Sequence, residues 1–207
     1  MNTHPASRRH AAAWLATATL LFATVAAQAQ AARYEIDPNH LSIGFLVEHL
    51  GYAKVQGMFR TARGGYSFDE GSGALTDVRV EVDTASVFSN HVKRDEHLKG
   101  PVFLNVAEHP KMVFTASGAK RTGERTFEIV GQLQLIGKTQ PLTLQATWNK
   151  SADSPIGVGL LGRKPYVMGV SARGSFKRSA YGMTYGVANG WVGDEVPVLI
   201  EFEAVRQ

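Results

Sequence analysis

The sequence predicts an all-β fold, with its strands closed into a barrel or stacked as a sandwich. Three observations carry this. Apolar and polar residues alternate with a period of two in run after run, which suits strands because successive side chains of a strand point to opposite faces. The runs are short and are separated by turn residues such as Glu70-Gly71-Ser72-Gly73 and Thr122-Gly123. The 207-residue chain contains no cysteine, so the fold must rest on a buried core and not on disulfides.

The first run is the clearest. In Leu41 to Phe59, Ile43, Phe45, Val47 and His49 share one face, and Ser42, Gly44, Leu46 and Glu48 share the other. A turn around Leu50 to Tyr52 leads to a second row of Ala53, Val55, Gly57 and Phe59, so the segment reads as an antiparallel hairpin. Gly64-Gly65 then reads as a turn. Further rows follow at Val78, Val80 and Val82, and at Met112, Phe114 and Ala116. Phe127, Ile129, Gly131, Leu133 and Leu135 make the longest row. Later ones are Leu142 to Trp148, Tyr166 to Ala172, and Val196, Val198, Ile200 and Phe202. A barrel of about eight such strands is just wide enough either to fill with side chains or to hold one small ligand. Gly57 and Gly131 lie on apolar rows, and their missing side chains are expected to leave interior room.

One segment breaks the alternation. A short helical insertion is predicted around residues 90–107, with Ser89 or Asn90 capping a helix over His91 to Lys99 and Gly100-Pro101 stopping it. Its apolar face has only Val92 and Leu98, which suits a lid or plug at a barrel end more than a core helix.

Residues 1–29 read as a cleavable signal peptide. Arg8 and Arg9 precede the apolar stretch Ala11 to Ala27, and Ala27-Gln28-Ala29 has the small-x-small form of a cleavage site. Residues 30–207 are then a single domain, long enough to bury its own core. The chain has 22 basic and 18 acidic residues; removing Arg8 and Arg9 leaves 20 against 18. So mild a surplus argues for neither nucleic acid nor an anionic membrane surface as a partner, and the mature chain is expected to have no stable membrane insertion.

The densest polar group is His91, Arg94, Asp95 and His97. One reading makes His91, Asp95 and His97 the centre of an exported metal-dependent hydrolase. The other makes them an exposed helix, with Arg94 and Asp95 holding the fold. The six-residue spacing of the histidines does not place them on one helical face, and no His-Glu-x-x-His or Gly-x-Ser-x-Gly pattern is present. Gly157 to Gly162 lacks the ending of a phosphate loop and reads as a hairpin loop. His49 ends the apolar face of the first strand, where solvent or a ligand head group would meet it.

Ordered blocks across residues 33–207 resemble the YceI-like family. They are Tyr34 to His40 with Phe45 and His49; Val55-x-Gly57-x-Phe59; Arg94-Asp95-x-His97-Leu98 with Phe103 and His109-Pro110; Gly131-x-Leu133 with Gly137 to Pro141; Arg178-Ser179-x-Tyr181-Gly182-Met183; and Val192-Gly193-Asp194-x-Val196. The resemblance implies a lipocalin-like antiparallel barrel in the periplasm. It implies a polyisoprenoid or isoprenoid quinone ligand and a homodimer. The role it suggests is storage or carriage, with no catalytic residues and no cofactor beyond the bound lipid. The ligand-binding residues expected on these grounds are Ile43, Phe45, Val47, His49, Val55, Phe59, Phe103, Phe114, Leu133, Leu135, Arg178 and Met183.

Overall fold

The structure, a computed structural model, describes residue 1, residues 31–156, residue 162 and residues 164–207. The signal-peptide reading and the Gly157 to Gly162 loop lie outside these residues, apart from Met1 and Gly162. Strands β1 (Ala32–His49), β2 (Ala53–Phe59), β3 (Ala62–Phe68), β4 (Leu75–Asp83) and β5 (Val87–Phe88) precede helix α1 (Val92–Lys99). After it come β6 (Lys111–Ala116), β7 (Lys120–Arg121), β8 (Thr126–Leu135), β9 (Lys138–Asp153), β10 (Tyr166–Lys177) and β11 (Glu195–Arg206). Antiparallel pairing runs β1-β3-β4-β6-β8-β9-β10-β11, and β11 returns to β1 to close an eight-stranded barrel. Closure leaves the body of the sheet without a free edge.

β2 and β3 act as two halves of one stave. The far half of β1 pairs with β2, from Ile43↔Phe59 to His49↔Ala53, and its start pairs with β3, from Ala32↔Phe68 to Glu35↔Gly65. A register shift in β1 between Ile36 and Leu41 separates the two. There Asp37 accepts the Asn39 backbone N–H at 2.9 Å, so Pro38 sits in an irregularity within a strand. The first strand therefore begins at Ala32, nine residues before the alternation becomes legible.

Two expectations need correction here. Gly64-Gly65 is not a turn but lies inside β3, where a Cβ on Gly64 would meet the Arg79 carbonyl oxygen at 2.3 Å and one on Gly65 the Tyr34 oxygen at 2.5 Å. Glycine is needed there because neighbouring backbones approach too closely for a side chain. The helix is capped by neither Ser89 nor Asn90. His91 is the cap, its Nδ1 accepting the Arg94 backbone N–H at 3.3 Å. The chain then turns through Pro101 to Pro110 and crosses the barrel end, burying Phe103 and Leu104.

The resemblance places a turn over Gly137 to Pro141, but only Ile136-Gly137 form the β8–β9 turn, and Lys138 to Pro141 are already paired within β9. Leu135 pairs with Lys138 across two residues, Ile136 and Gly137, with φ of 49° and 68°. Two positive φ angles match the right-handed twist of the strands they join.

Candidate functional site: an apolar barrel cavity

The alternation puts one face of every barrel strand inside, and those faces are almost wholly apolar. They enclose a cavity of about 500 Å³. That is within the size range of small-molecule sites, roughly 300–1,000 Å³. Val78, Val80 and Val82 from β4, Ile129, Leu133 and Leu135 from β8, and Leu142 and Leu144 from β9 wall it. All twelve residues expected to bind a ligand lie on this wall, spread over β1, β2, β6, β8 and the loops beside the helix and β10. Sequence reading left out others, such as Ile36, Trp148, Met168, Ala172, Ile200 and Phe202. Several belong to rows already visible as alternation, and the closed topology is what brings them to the same space.

The two ends of the cavity differ. Of its lining residues, the exposed ones are Glu48, His49, His97 and Tyr185, so it opens where the β1–β2 turn, α1 and the 182–194 loop meet. The opposite end is packed. Tyr34 and Tyr66 stack at 5.4 Å between centroids, Phe68 meets Phe127 and Trp148 edge to face, and the Tyr66 hydroxyl donates to Met168 Sδ at 3.2 Å. Glu70 accepts from the Tyr34 hydroxyl at 2.6 Å and from Tyr166 at 3.1 Å. Burial, with the nearby Glu70 carboxylate, pushes both phenols up and keeps them neutral donors.

The polar residues near the opening are largely occupied by the protein itself. Arg178 is 3% exposed and donates to four carbonyls: Gly193 at 2.7 Å, Met183 at 2.6 Å, Tyr185 at 2.8 Å and Val192 at 2.7 Å. Burial lowers its pKa, offset in part by Asp194. Asp194 in turn accepts from the Ser179 backbone N–H at 2.9 Å and its hydroxyl at 2.8 Å. Arg178-Ser179 and Val192-Gly193-Asp194 are therefore two halves of one clamp that shapes the 182–194 loop. Arg94 and Asp95 both engage Ser89: Arg94 donates to its hydroxyl oxygen and carbonyl at 2.8 and 2.6 Å, and Asp95 accepts from its backbone N–H and hydroxyl at 2.7 and 2.5 Å.

This geometry corrects the metal-hydrolase alternative. Asp95 is bound to Ser89, His91 caps the helix, and the His97 ring packs edge-on against Phe103 at 5.0 Å and Tyr185 at 5.2 Å. Among the described residues no three His, Cys, Asp or Glu side chains are grouped to hold a metal ion. The glycine reading is corrected as well. A Cβ on Gly57 would lie 2.3 Å from the Phe45 ring, and one on Gly131 would lie 2.3 Å from the Phe114 ring. The space these glycines leave is taken by phenylalanine rings and not by the cavity.

Residues 34–204 match the YceI-like domain family. The chain belongs to that family. Among its YceI-like relatives, a UPF0312 protein of Azotobacter vinelandii is 38% identical over 184 residues, 88% of this chain and 91% of that one. Protein YceI of Salmonella arizonae is 36% identical over 192 residues, 92% and 94% of the two chains. The YceI barrel is also seen in solved structures. A Campylobacter jejuni YceI protein aligns with a TM-score of 0.67 at 25% identity, over 77% of this chain and 90% of its own. Burkholderia cenocepacia BcnA gives 0.69 at 18%, over 81% and 98%. A polyisoprenoid-binding domain from Saccharophagus degradans gives 0.60 at 14%, over 84% and 98%.

Proposed function

We propose that this YceI-like protein binds an isoprenoid lipid, of polyprenyl or isoprenoid-quinone type, and carries, stores or sequesters it without catalysing a reaction on it. The observation that carries this reading is the cavity: about 500 Å³, apolar along its length and open at one end. Each methylene-sized group buried in such a site contributes about 0.8 kcal/mol, so a branched apolar tail gains far more from it than a polar solute does. The methyl branches of a prenyl chain suit a wall built of Val, Ile, Leu and Phe side chains. The Saccharophagus degradans domain with this fold is described as polyisoprenoid-binding, which supports the same ligand class. No resident cofactor is needed for such a role. The place of work is the periplasm, reached after removal of residues 1–29; intact-mass measurement of the exported protein checks the cleavage.

The wall offers its own reporter. Trp148 lines the cavity, whereas Trp191 is exposed outside it. In a Trp191→Phe variant of the mature, delipidated protein, a short-chain isoprenoid quinone should quench Trp148 fluorescence saturably. Adding Ala172→Phe, which fills the cavity from the wall, should abolish saturation while the folded state persists. Quenching that never saturates, or that the filled cavity leaves unchanged, contradicts the proposal.

A further inference from the structure

Large apolar side chains left in water are concentrated around the opening of the cavity. Leu50 and Tyr52 form the β1–β2 turn, Tyr185 and Trp191 stand on the 182–194 loop, Val102 follows α1, and Val92 begins it; all six are exposed, Tyr52 at 89% and Trp191 at 52%. Leu50, Trp191, Tyr185 and Val102 are linked in turn by backbone hydrogen bonds and ring packing. The Leu50 N–H donates to the Trp191 carbonyl at 3.0 Å, and the Trp191 N–H donates to the Gly186 carbonyl at 2.9 Å. Tyr185 packs on Phe103 at 5.5 Å between centroids, one residue from Val102. The patch is thus a rim that continues into the cavity wall at Tyr185. Monomeric proteins seldom expose such a cluster without a partner for it.

We propose that this rim docks on the surface of a phospholipid bilayer, so that the cavity opens directly into the lipid phase. The inference rests on the lipid-binding reading above and adds where the ligand enters. Three features favour a bilayer over another protein. Tyr and Trp have an apolar body with a polar tip, which suits the headgroup boundary. Lys54, Lys93 and Lys138 border the rim and are exposed, as are the carboxylates Glu48, Glu96 and Glu195, so the rim carries both signs of charge and suits the phosphate and amine groups of a zwitterionic lipid surface. A second copy seated on the rim would also close the opening that the ligand must use. A shallow apolar contact of this kind is reversible, unlike a membrane-spanning helix, and no helix among the described residues is long and apolar enough to span.

The test uses the mature protein and vesicles of mixed phosphatidylethanolamine and phosphatidylglycerol. Co-sedimentation should be saturable and accompanied by a blue shift of Trp191 fluorescence. The triple variant Leu50→Ser, Tyr52→Ser, Trp191→Ser should partition on the order of a hundredfold more weakly. Val130→Ser, at an exposed apolar residue on β8 away from the rim, should behave as wild type. Failure of the wild type to bind vesicles, or equal binding by the triple variant, overturns the proposal. A dimer that the triple variant dissolves, without any vesicle binding, also overturns it and assigns the rim to a second copy. Measuring cavity lipid in the same samples separates the two claims. Lipid inside a protein that ignores vesicles refutes docking alone, and a cavity without lipid refutes the reading beneath it.

Discussion

At the scale of single residues, the barrel interior is set by pairs that face each other across strands. Phe45 and Gly57 are direct partners on β1 and β2, and the ring lies where the glycine has no side chain. Gly57→Ala should therefore destabilise the fold by about 1–3 kcal/mol through overpacking. Phe45→Leu in the same chain should recover most of that loss, because the three nearest contacts of the new methyl all belong to the Phe45 ring. A double-mutant cycle by chemical denaturation measures this coupling. Gly131→Ala should resist the same rescue by Phe114→Leu, since the Thr115 carbonyl also stands 2.6 Å from the added carbon. Arg178 is the second residue whose role depends on geometry. Arg178→Lys cannot reproduce a planar group donating to four carbonyls, and it should cost about 3 kcal/mol in the same assay. The sequence marks both residues as notable but misassigns Gly57, because a missing side chain shows space without showing what fills it. The four carbonyl partners of Arg178 carry no signal in side-chain identity at all.

At the scale of elements, the alternation located eight of the eleven described strands; it missed β3, and it missed β5 and β7, which at two residues each are too short to alternate. Asp37-Pro38-Asn39 hides the start of β1, because an irregularity in a strand has the composition of a loop. Gly64-Gly65 looks like a turn because close approach of two backbones demands the same residue that turns favour. The insertion after β5 is helical as read, but its cap is a histidine, a type not ranked among the preferred N-caps. Neighbouring strands are also tied by charge on the outer face. Glu81 on β4 accepts from Arg79 at 2.7 Å, from Arg63 on β3 at 2.7 Å and from Lys111 on β6 at 3.2 Å. Hydrogen bonds from Arg79, then Arg63 and Lys111, hold its pKa down to about 2, below the ordinary value of 4.5. A depressed folded-state pKa means stability that is present above the unfolded value and lost as pH falls through the folded one. Glu81→Gln should thus lower the thermal midpoint at pH 7, and the difference from wild type should shrink as pH falls from about 4.5 toward 2. Thermal melts of both proteins across that range check it.

At the scale of the whole molecule, closure of the sheet turns separate apolar rows into one wall. The rows were legible as period-two patterns, but the choice of barrel over sandwich came from the family resemblance and not from those patterns. That choice depends on β11 returning to β1, a pairing between the two ends of the described chain that no local pattern contains. The closed barrel also separates a packed aromatic end from an open one, and so gives the cavity a direction. The lipid-binding account predicts that the space inside is filled in the cell. Its most direct test is the mass of what leaves the protein when mature, folded material purified from its native host is denatured in organic solvent. The account predicts a prenyl lipid or isoprenoid quinone near one per chain. Folded protein that releases no lipid would contradict it.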